Sequence, residues 1–576
     1  MLTRGNPARR LGITLLCIIF VLSLFAGRLV QLQGMESGYY RSLTNSGHQK
    51  TKPLPALRGS ITAADGSLLA MTVETYLVYA DPTQMLASQQ QPVARQLAPL
   101  LGLPAASILN LIQHPTSKAY VVLAKDVSAA AGNQITALNL PGIAMTPSYA
   151  RSYPDGGIAA NVVGFTSQAS GNLTGRAGVE GAENALLAGH PGSEHFQISS
   201  AGQPIPLGSA DTPAVNGSDI QLTLYPALQY RAQQACQQEV AKTHADNCSV
   251  VVMQPSTGRI LALAQWPTYD PSSIGNITQT TDIPLQNLFD PGSTAKVITA
   301  AAAFEHGGQT PMSAYNIPYS IVEGGTAIHD AEWQPGERFT IAGIIAHSSN
   351  VGMSQVVKHV APQTQYDYLR AFGLGQPTGL NLAEEPGLLP TPSHWSGDTR
   401  YTLSYGQGVS VNAVQMASVY ATIANGGVRV QPTLVEGTTS ANGTLKPAPP
   451  SPSRRVISSQ TAHELIQILQ QVPAFDAAGG QKWGIMPGYA IAAKTGTSQE
   501  WSGTCLCKYG ASYIGMAPGD NPQLVVAVNV QNPRKGGYYG DIVAGPVFYE
   551  VMHFALATLK ILPDGAVPAK IRLTAH

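Results

Sequence analysis

A nucleophile and a base lie three residues apart in one short segment. Asp290-Pro291-Gly292 is a turn signal before Ser293, and small and apolar residues continue past Lys296 as far as Gly307-Gly308. This pattern predicts a helix that begins near Ser293 and ends at the paired glycines. Ser293 would lie at the positive end of the helix dipole, with Lys296 one turn further along the same face. A lysine whose pKa is lowered can accept a serine proton, which suits acyl transfer. An ordinary helix start with a solvated lysine is the alternative.

Two further segments favour the chemical interpretation. Ser348-Ser349-Asn350 follows a short helical run at 340–346, and Lys494-Thr495-Gly496-Thr497 ends an apolar run at 489–493 that predicts a strand. Ser-x-Asn alone carries little weight, because it also occurs at Ser170, Ser410 and Ser440; the copy at Ser348 is singled out by its place in the order of the segments. Lys-Thr-Gly-Thr occurs once. The three segments in this order are typical of penicillin-recognising serine enzymes, with Ser-Ser-Asn in place of Ser-Asp-Asn.

With these motifs, the chain resembles the class B (monofunctional) penicillin-binding proteins, which are peptidoglycan D,D-transpeptidases. Segments along most of the chain resemble the same family: Gly406-Gln407-Gly408 with Gln415, Ala424-Asn425-Gly426-Gly427, Pro267-Thr268-Tyr269-Asp270-Pro271, Arg58-Gly59-Ser60-Ile61, Arg151-Ser152-Tyr153-Pro154 and Gly178-Val179-Glu180. One departure is Ala63-Ala64, where the family usually has Asp-Arg. An ion pair made there in relatives is therefore expected to be absent or rebuilt.

The resemblance implies an α+β architecture with a membrane anchor, a non-catalytic pedestal domain of the dimerisation type, and a penicillin-binding/β-lactamase-like transpeptidase domain. In the transpeptidase domain an antiparallel sheet would be covered by helices. The expected boundaries are a cytoplasmic tail at 1–10, a transmembrane anchor at 11–32, the pedestal at 33–216, the transpeptidase at 217–565 and a tail at 566–576.

Local patterns in the second half of the chain support helices and strands but define only the α+β class. Apolar residues every fourth position predict an amphipathic helix, and two pairs of apolar runs separated by turn residues predict hairpins. A final apolar segment with proline in its first turn predicts a closing helix. These segments are Leu228, Ala232, Cys236 and Val240 for the helix, 249–253 with 259–264 and 511–517 with 523–531 for the hairpins, and 546–562 for the closing helix.

An uncharged apolar run at 11–27 follows Arg4, Arg9 and Arg10. The run nearly spans a bilayer, and the arginines predict a cytoplasmic N-terminus. A cleaved signal peptide is the alternative, but the residues around Ala26 make a poor cleavage site. We expect a single-pass protein of the cell (inner or plasma) membrane with its catalytic domain outside the cytoplasm.

Composition limits the remaining classes. The chain has 576 residues, enough for two or more domains. Charged residues make up 11% and the net charge is zero, so no basic face for nucleic acid is expected. The 58 glycines and 42 prolines indicate a loop-rich chain, and the hydrophobic fraction of 44% indicates that this chain is folded rather than disordered.

The resemblance also implies a role for each motif residue. Ser293 would attack the carbonyl between two D-alanines of a stem peptide, or a β-lactam, and Lys296 would accept its proton. Ser348 would relay that proton to the leaving D-alanine, and Asn350 would bind the substrate amide. Backbone N–H groups of Ser293 and Thr497 would form the oxyanion hole. The expected carboxylate-binding strand is Lys494, Thr495, Gly496 and Thr497, and neither a metal nor another cofactor is required.

Other candidate residues have ordinary interpretations. His347 could act as a base but is expected to be a packing or capping residue. Glu384-Glu385 could supply a deacylating carboxylate, although the surrounding sequence indicates a turn. Four cysteines follow Cys17 of the anchor, and they allow three pairings. A bridge involving Cys505-x-Cys507 would shape the rim of the site, a zinc site there lacks partner ligands, and Cys236 is expected to be a small core residue.

The favoured function is cross-linking of stem peptides during septal wall synthesis, because the Arg-x-Tyr-Pro and Gly-Gln-Gly contexts resemble the division branch. No glycosyltransferase domain is evident, so a polytopic glycosyltransferase and other division proteins are the expected partners. The alternatives are an elongation transpeptidase, a β-lactam-hydrolysing or β-lactam-sensing relative, and a non-catalytic scaffold of the division machinery.

Overall fold

The structure is a computed structural model that describes residues 7–39, 49–115, 117–169, 172–198, 204–273, 280–331, 336–439, 443–502, 505–565, 568 and 570–575. Contacts group the chain into two compact units. One unit comprises Met1–Leu57 with Gly189–Gly217, and the other comprises Arg58–Ala188 with Ser218–His576. Most of the predicted cytoplasmic tail, residues 1–6, lies outside the described residues.

The first unit contains the predicted anchor. A helix at Pro7–Val30 continues as a π-helical turn at Gln31–Met35, and within the described ranges it is the single helix long and apolar enough to cross a membrane. Its apolar side chains are exposed, as a membrane-spanning surface requires. The unit also has a three-stranded antiparallel sheet in the order Gln49–Leu54, Gly192–Ile198, Pro204–Thr212.

The second unit begins with residues 58–188 of the predicted pedestal, whose strands join a seven-stranded sheet. Its order is Leu445–Pro447, Val435–Thr439, Asp219–Leu222, Ile61–Thr62, Leu68–Ala80 and Val121–Ser128, and Ile143–Ser152 also pairs with Leu68–Ala80. Helices cover this sheet and bury Val93, Leu97, Ile108 and Ile112 against it. The helices of this region are Ala87–Leu101, Ala105–Gln113, Ala129–Leu138, Ala160–Val163, Gly178–Ala182 and Asn184–Ala188. Two further strands, Thr166–Ala169 and Asn172–Gly175, pair with each other.

A buried carboxylate joins distant parts of the pedestal sequence. Glu180 accepts from the Nε of Arg58 and from the Nε of Arg151, both at 2.6 Å, and all three side chains are at most 2% exposed. Ion pairs this deeply buried specify one arrangement, because either partner alone would be an uncompensated charge. At the departure from the family pattern, the carbonyls of Ala63 and Ala64 accept from the side-chain amide of Gln221. The expected loss of an Asp-Arg pair at that position is thus accompanied by amide contacts.

The catalytic half, the part of the chain predicted to be the transpeptidase domain, is built on an antiparallel sheet, as predicted, and the sheet has five strands. In chain order its strands are β1 (Asn247–Met253), β2 (Ile260–Trp266), β3 (Ala492–Ser502), β4 (Cys505–Ala517) and β5 (Leu524–Gln531), and their spatial order is β2-β1-β5-β4-β3. The β1–β2 and β4–β5 hairpins confirm both hairpin predictions. β5, which is rich in valine, is buried along its whole length, because helices cover both faces of the sheet.

Seven helices matter for the site. They are α1 (Pro226–Thr243), α2 (Lys296–His306), α3 (Ile341–Ala346), α4 (Asn350–Val356), α5 (Ala413–Ala424), α6 (Ser459–Leu469) and α7 (Gly545–Thr558). One core cluster includes buried residues of α1 and α7 against the sheet, and a second includes those of α2 and α5 against the other face. The amphipathic α1 and the closing α7 are confirmed, although α7 ends at Thr558 rather than 562.

The other segments of the catalytic half are short. They are helices Ile283–Gln286, Pro362–Ala371, Thr399–Ser404, Gln471–Ala478 and Gly540–Val543, and strands Ala314–Asn316, Ser320–Glu323, Thr326–His329, Arg338–Thr340, Val428–Val430 and Ser453–Arg455. Part of the predicted C-terminal tail contacts this half. The N–H of Thr340 donates to the carbonyl of Leu573, and that of Ala575 to Arg338, so the tail pairs with the strand that leads into α3.

The cysteines resolve one open question. Cys236 and Cys248 form a disulfide that links α1 to β1, while Cys505 and Cys507 are free and exposed. The prediction that Cys236 is simply a core residue was therefore incomplete: it is fully buried and bridged. Apolar periodicity detected the burial, but four cysteines at these spacings could not define the pairing.

Candidate active site

Ser293 lies at a tightly packed turn before α2. Gly292–Ala295 forms a 3-10 turn that leads directly into α2, so the predicted helix forms from Gly292 to His306. Gly292 has φ +54°, and its N–H donates to the carbonyl of Gly406 at 2.9 Å. A Cβ on Gly406 would lie 2.1 Å from the carbonyl oxygen of Gly292, so only glycine permits this approach. Ser293 is half-buried between two buried neighbours, Gly292 and Thr294.

Several hydrogen bonds, within the turn and from neighbouring segments, stabilise this turn. The Thr294 hydroxyl donates to the carbonyl of Pro291 at 2.6 Å, and the Tyr420 hydroxyl of α5 donates to the carbonyl of Thr294 at 3.0 Å. The Asp290 carboxylate accepts from the N–H of Gly408 at 3.1 Å, and burial raises its pKa to about 6. The Gly-Gln-Gly segment and α5 therefore position the backbone on both sides of Ser293.

Lys296 is fully buried at the first residue of α2. Its amine donates to the carbonyl of Ser348 and lies 3.4 Å from the Ser348 hydroxyl. Burial lowers the pKa of Lys296 well below its ordinary value, the charge of Lys494 lowers it further, and Asp330 opposes the shift. A neutral amine in this position can accept a proton near physiological pH.

The Ser348-Ser349-Asn350 segment connects two helices. α3 is capped by the Thr340 hydroxyl and ends before Ser348, which has φ +59°. This left-handed conformation is unusual for serine and occurs where the surroundings impose it. Ser349 then caps α4 by accepting from the N–H of Gly352 at 2.8 Å. The Asn350 amide lies 3.5 Å from the carbonyl of His329.

The segment Ser348-Ser349-Asn350 forms one wall of the candidate site, and one residue that supports this wall is not marked in the sequence. The carboxylate of Asp330 accepts from the Ser349 hydroxyl at 2.7 Å and from the N–H of Val351 at 2.9 Å. Asp330 follows the short strand Thr326–His329 and is separated from Ser349 by nineteen positions. No motif or periodicity marks it, so only the tertiary contact reveals it.

The Lys-Thr-Gly-Thr motif lies on β3. Lys494 is fully buried, and its amine donates to the carbonyl and hydroxyl of Thr495 at 3.2 Å each. Burial lowers the pKa of Lys494 to about 8 against the opposing charges of Asp476 and Asp541. The prediction that the motif ends a strand over 489–493 was wrong, since the strand begins at Ala492 and continues to Ser502. Pairing with β4 extends the strand through polar residues that lack an apolar pattern.

Gly496 brings β3 against the serine turn. A Cβ at this position would lie 2.9 Å from the Thr294 methyl and 3.0 Å from the carbonyl oxygen of Pro291. A Cβ on Gly292 would similarly lie 2.9 Å from the carbonyl of Thr497. The Thr497 hydroxyl accepts from the N–H of Gly540 at 3.2 Å. The structure thus brings the Ser293 and Thr497 segments into direct contact across the two glycines.

The alternative candidates do not join this site. The His347 ring stacks on Phe339 with centroids 4.3 Å apart and lies 4.4 Å from the Phe475 ring, which fits a packing role. The Glu384 carboxylate accepts from the N–H of Thr378 with both oxygens, at 2.9 and 3.0 Å. Glu384 therefore stabilises a local turn, as the sequence indicated.

An antiparallel sheet between helical layers, with a serine turn, a Ser-x-Asn wall and a Lys-Thr-Gly strand meeting at one edge, defines a penicillin-binding transpeptidase fold. The family "Penicillin binding protein transpeptidase domain" matches residues 248–553, and the "Penicillin-binding Protein dimerisation domain" matches residues 53–222. The chain belongs to the class B penicillin-binding proteins, which combine these two domains.

The similarity to known proteins extends over nearly the whole chain. Penicillin-binding protein PbpB of Mycolicibacterium smegmatis is 33% identical over 97% of this chain and 92% of its own length. Peptidoglycan D,D-transpeptidase FtsI of Escherichia coli is 30% identical over 95% of this chain and 91% of its own. A peptidoglycan synthetase from Bifidobacterium adolescentis is similar in structure, with a TM-score of 0.74 and 28% identity, covering 92% of this chain and 100% of that one.

A second solved structure bears on ligands. Penicillin binding protein 3 of Mycobacterium tuberculosis, in complex with aztreonam, has a TM-score of 0.70 and 30% identity to this chain. The similarity covers 91% of this chain and 100% of that one.

Proposed function

We propose that this protein is a serine peptidoglycan D,D-transpeptidase that cross-links stem peptides through an acyl-enzyme at Ser293 and is acylated by β-lactams. The observation that carries the proposal is the buried amine of Lys296, which begins the helix of Ser293 and donates to Ser348. A buried lysine held by a carbonyl and a hydroxyl, with a second cation nearby, has the lowered pKa that a general base requires.

In the acylation step, Ser293 Oγ attacks the carbonyl between the two D-alanines and its proton passes to Lys296. The negative charge that develops on the carbonyl oxygen is stabilised by the backbone N–H groups of Ser293 and Thr497, each worth about 3 kcal/mol. Support for this pair comes from the close approach of Gly292 to the Thr497 carbonyl. The proton then returns through Ser348 to the amine of the leaving D-alanine.

The remaining motif residues bind the donor peptide. Lys494 supplies the positive potential that attracts the terminal carboxylate, and the hydroxyls of Thr495 and Thr497, with the backbone at Gly496, receive it. Both threonines are half-buried, whereas Lys494 and Gly496 are fully enclosed. Asn350 binds the amide of the stem peptide. The amine of a second strand then attacks the acyl-enzyme, and the cross-link forms without a metal or another cofactor.

The apolar helix at Pro7–Met35 supports a membrane anchor. Arg9 and Arg10 near its start support a cytoplasmic N-terminus under the positive-inside rule, with the catalytic domain outside. We keep the domain boundaries at 10, 32, 216 and 565: the first two follow from that topology, and the last two from the resemblance to the family. The proposed partners are a polytopic glycosyltransferase, which supplies the strands, and other proteins of the division machinery.

A division role is favoured because the chain resembles PbpB and FtsI proteins throughout its length. Depletion of the protein tests this role: filamentous cells support septal synthesis, whereas rounded cells support elongation and exclude it.

Labelling with a fluorescent penicillin tests the chemistry. The full-length protein should form a long-lived adduct that Ser293→Ala abolishes, and Lys296→Ala should slow adduct formation by about three orders of magnitude. Ser348→Ala should also slow it, whereas Ser410→Ala, in another Ser-x-Asn copy, should not. An adduct that survives Ser293→Ala rejects the proposal, and rapid loss of the adduct would favour a hydrolysing enzyme.

A further inference from the structure

We propose that Asp330 is a positioning residue for acyl transfer: its carboxylate fixes the Ser348-Ser349-Asn350 wall against Lys296 and supplies the negative charge that faces this amine. The inference rests on the proposed function of the same site, and it assigns a role to a residue outside the three motifs.

The contacts of Asp330 are divided between its two oxygens. One accepts the hydroxyl proton of Ser349 at 2.7 Å, and the other accepts the N–H of Val351 at 2.9 Å. The Ser349 hydroxyl also accepts from the N–H of Gly352 at 2.8 Å, so it works as donor and acceptor together. The carboxylate therefore holds both the cap and the first turn of α4.

The opposite side of the wall is held by α3. The N–H of Ser348 donates to the carbonyl of Ile345 at 3.1 Å, and that of Ser349 donates to the carbonyl of Ile344 at 2.9 Å. Ser348 lies between these bonds and Asp330, in its left-handed conformation with φ +59°. Because a non-glycine residue adopts this conformation only under constraint, release of the Asp330 side would let the Ser348 carbonyl turn away from the Lys296 amine.

Two charged groups face Lys296. Lys494 on β3 lowers the pKa of the Lys296 amine, and Asp330 raises it, while burial lowers it most strongly. Lys494 itself interacts with Asp476 and Asp541, whose negative charges raise its pKa against the effect of burial. Neutralising Asp330 should therefore lower the pKa of Lys296 further and extend proton acceptance to lower pH. A carboxylate that only braced α4 would leave that pH dependence unchanged.

The test compares acylation rates of the detergent-solubilised full-length protein with fluorescent penicillin across pH. In Asp330→Asn the plateau rate should fall about tenfold, and the acid limb should move to lower pH by about half a unit or more. In Ser349→Ala the rate should fall by a similar factor with the acid limb unmoved, because the charge remains. Glu323→Gln is the matched control. It also neutralises a carboxylate, but Glu323 lies on the neighbouring strand Ser320–Glu323 and its carboxylate pairs with Lys358.

An Asp330→Asn profile that coincides with the wild-type profile overturns the inference, as does a slower rate with an unmoved acid limb. Asp330→Glu provides a second measurement if the asparagine variant does not fold. It keeps the charge on a longer arm, so its acid limb should stay in place while the rate falls, and an unchanged rate overturns the inference. Absence of any adduct in the wild type would instead refute the proposed function.

Discussion

Gly496→Ala should separate β3 from the serine turn. The added methyl would lie 2.5 Å from the hydroxyl oxygen of Ser512 on β4, 2.9 Å from the Thr294 methyl carbon and 3.0 Å from the Pro291 carbonyl oxygen. The Ser512 hydroxyl is the end of a short side chain that can rotate, so the two contacts on the serine turn decide the outcome. Carbon atoms pack best at about 3.5–4.0 Å, so relief of the Thr294 contact alone needs a movement of roughly 0.7 Å. Neither Thr294 nor Pro291 can yield easily, because the Thr294 hydroxyl is bonded to the Pro291 carbonyl and the Tyr420 hydroxyl holds the Thr294 carbonyl.

A displacement of this size should be costly for catalysis. A misplacement of about 1 Å can reduce a rate by roughly two orders of magnitude, so we expect acylation to fall about 30- to 100-fold. Overpacking should also destabilise the fold by about 1–3 kcal/mol. The assay is the second-order rate constant for fluorescent penicillin, together with a thermal melt of the same sample.

The matched control is Gly479→Ala. This glycine has φ −78°, and the nearest atom to its added Cβ would be the Asp476 carbonyl oxygen at 3.3 Å. Its acylation rate should stay close to that of the wild type. If Gly496→Ala folds and also acylates within about threefold of the wild type, the turn tolerates separation from β3, and the argument that the two segments must touch for oxyanion stabilisation is refuted.

Three further predictions use the buried ionisable groups and the disulfide. The acylation rate should rise with pH as Lys296 loses its proton, at a pH well below the ordinary lysine range. The rate should fall above about pH 8, where Lys494 loses the charge that attracts the substrate carboxylate, and a flat profile between pH 5 and 10 would contradict both effects. The double variant Cys236→Ala/Cys248→Ala should lose about 3 kcal/mol of stability, because the two bridged cysteines are 12 positions apart in the chain; its melting temperature should fall, whereas alanine at Cys505 and Cys507 should leave it unchanged. Burial raises the pKa of Asp282 to about 7, above its unfolded value of 3.8, so the folded state keeps a proton that the unfolded state has lost and stability declines as pH rises through this window. The Asp282→Asn variant should therefore have about the same melting temperature as the wild type at pH 4. At pH 8 its melting temperature should be higher, by an amount that corresponds to a few kcal/mol of stability, and an equal difference at both pH values would refute the titration of Asp282.

Much of the fold could be predicted because strong local patterns coincide with its elements. The apolar periodicity of α1, the paired runs of the β1–β2 and β4–β5 hairpins and the turn before α2 each depend on neighbouring residues alone. The motif order likewise predicts that Ser293, Ser348 and Lys494 belong to one site. Local pattern failed for β3, whose polar half is a strand only because β4 pairs with it.

The supporting residues of the site could not be predicted in the same way. Asp330 becomes significant through two hydrogen bonds to residues about twenty positions away, and Gly406 through its contact with Gly292. The Cys236–Cys248 bridge likewise depends on how α1 lies on β1. Each of these features is a property of tertiary packing, which leaves no periodic signal in the sequence.

Lys494 lies about two hundred positions after Lys296 in the chain, yet its charge helps to lower the pKa of the Lys296 amine. For the proposed acylation at Ser293, a chain in which β3 has not yet packed against the serine turn lacks that influence and should react slowly with penicillin. A covalent penicillin label on this protein should therefore report completed folding as well as enzyme concentration.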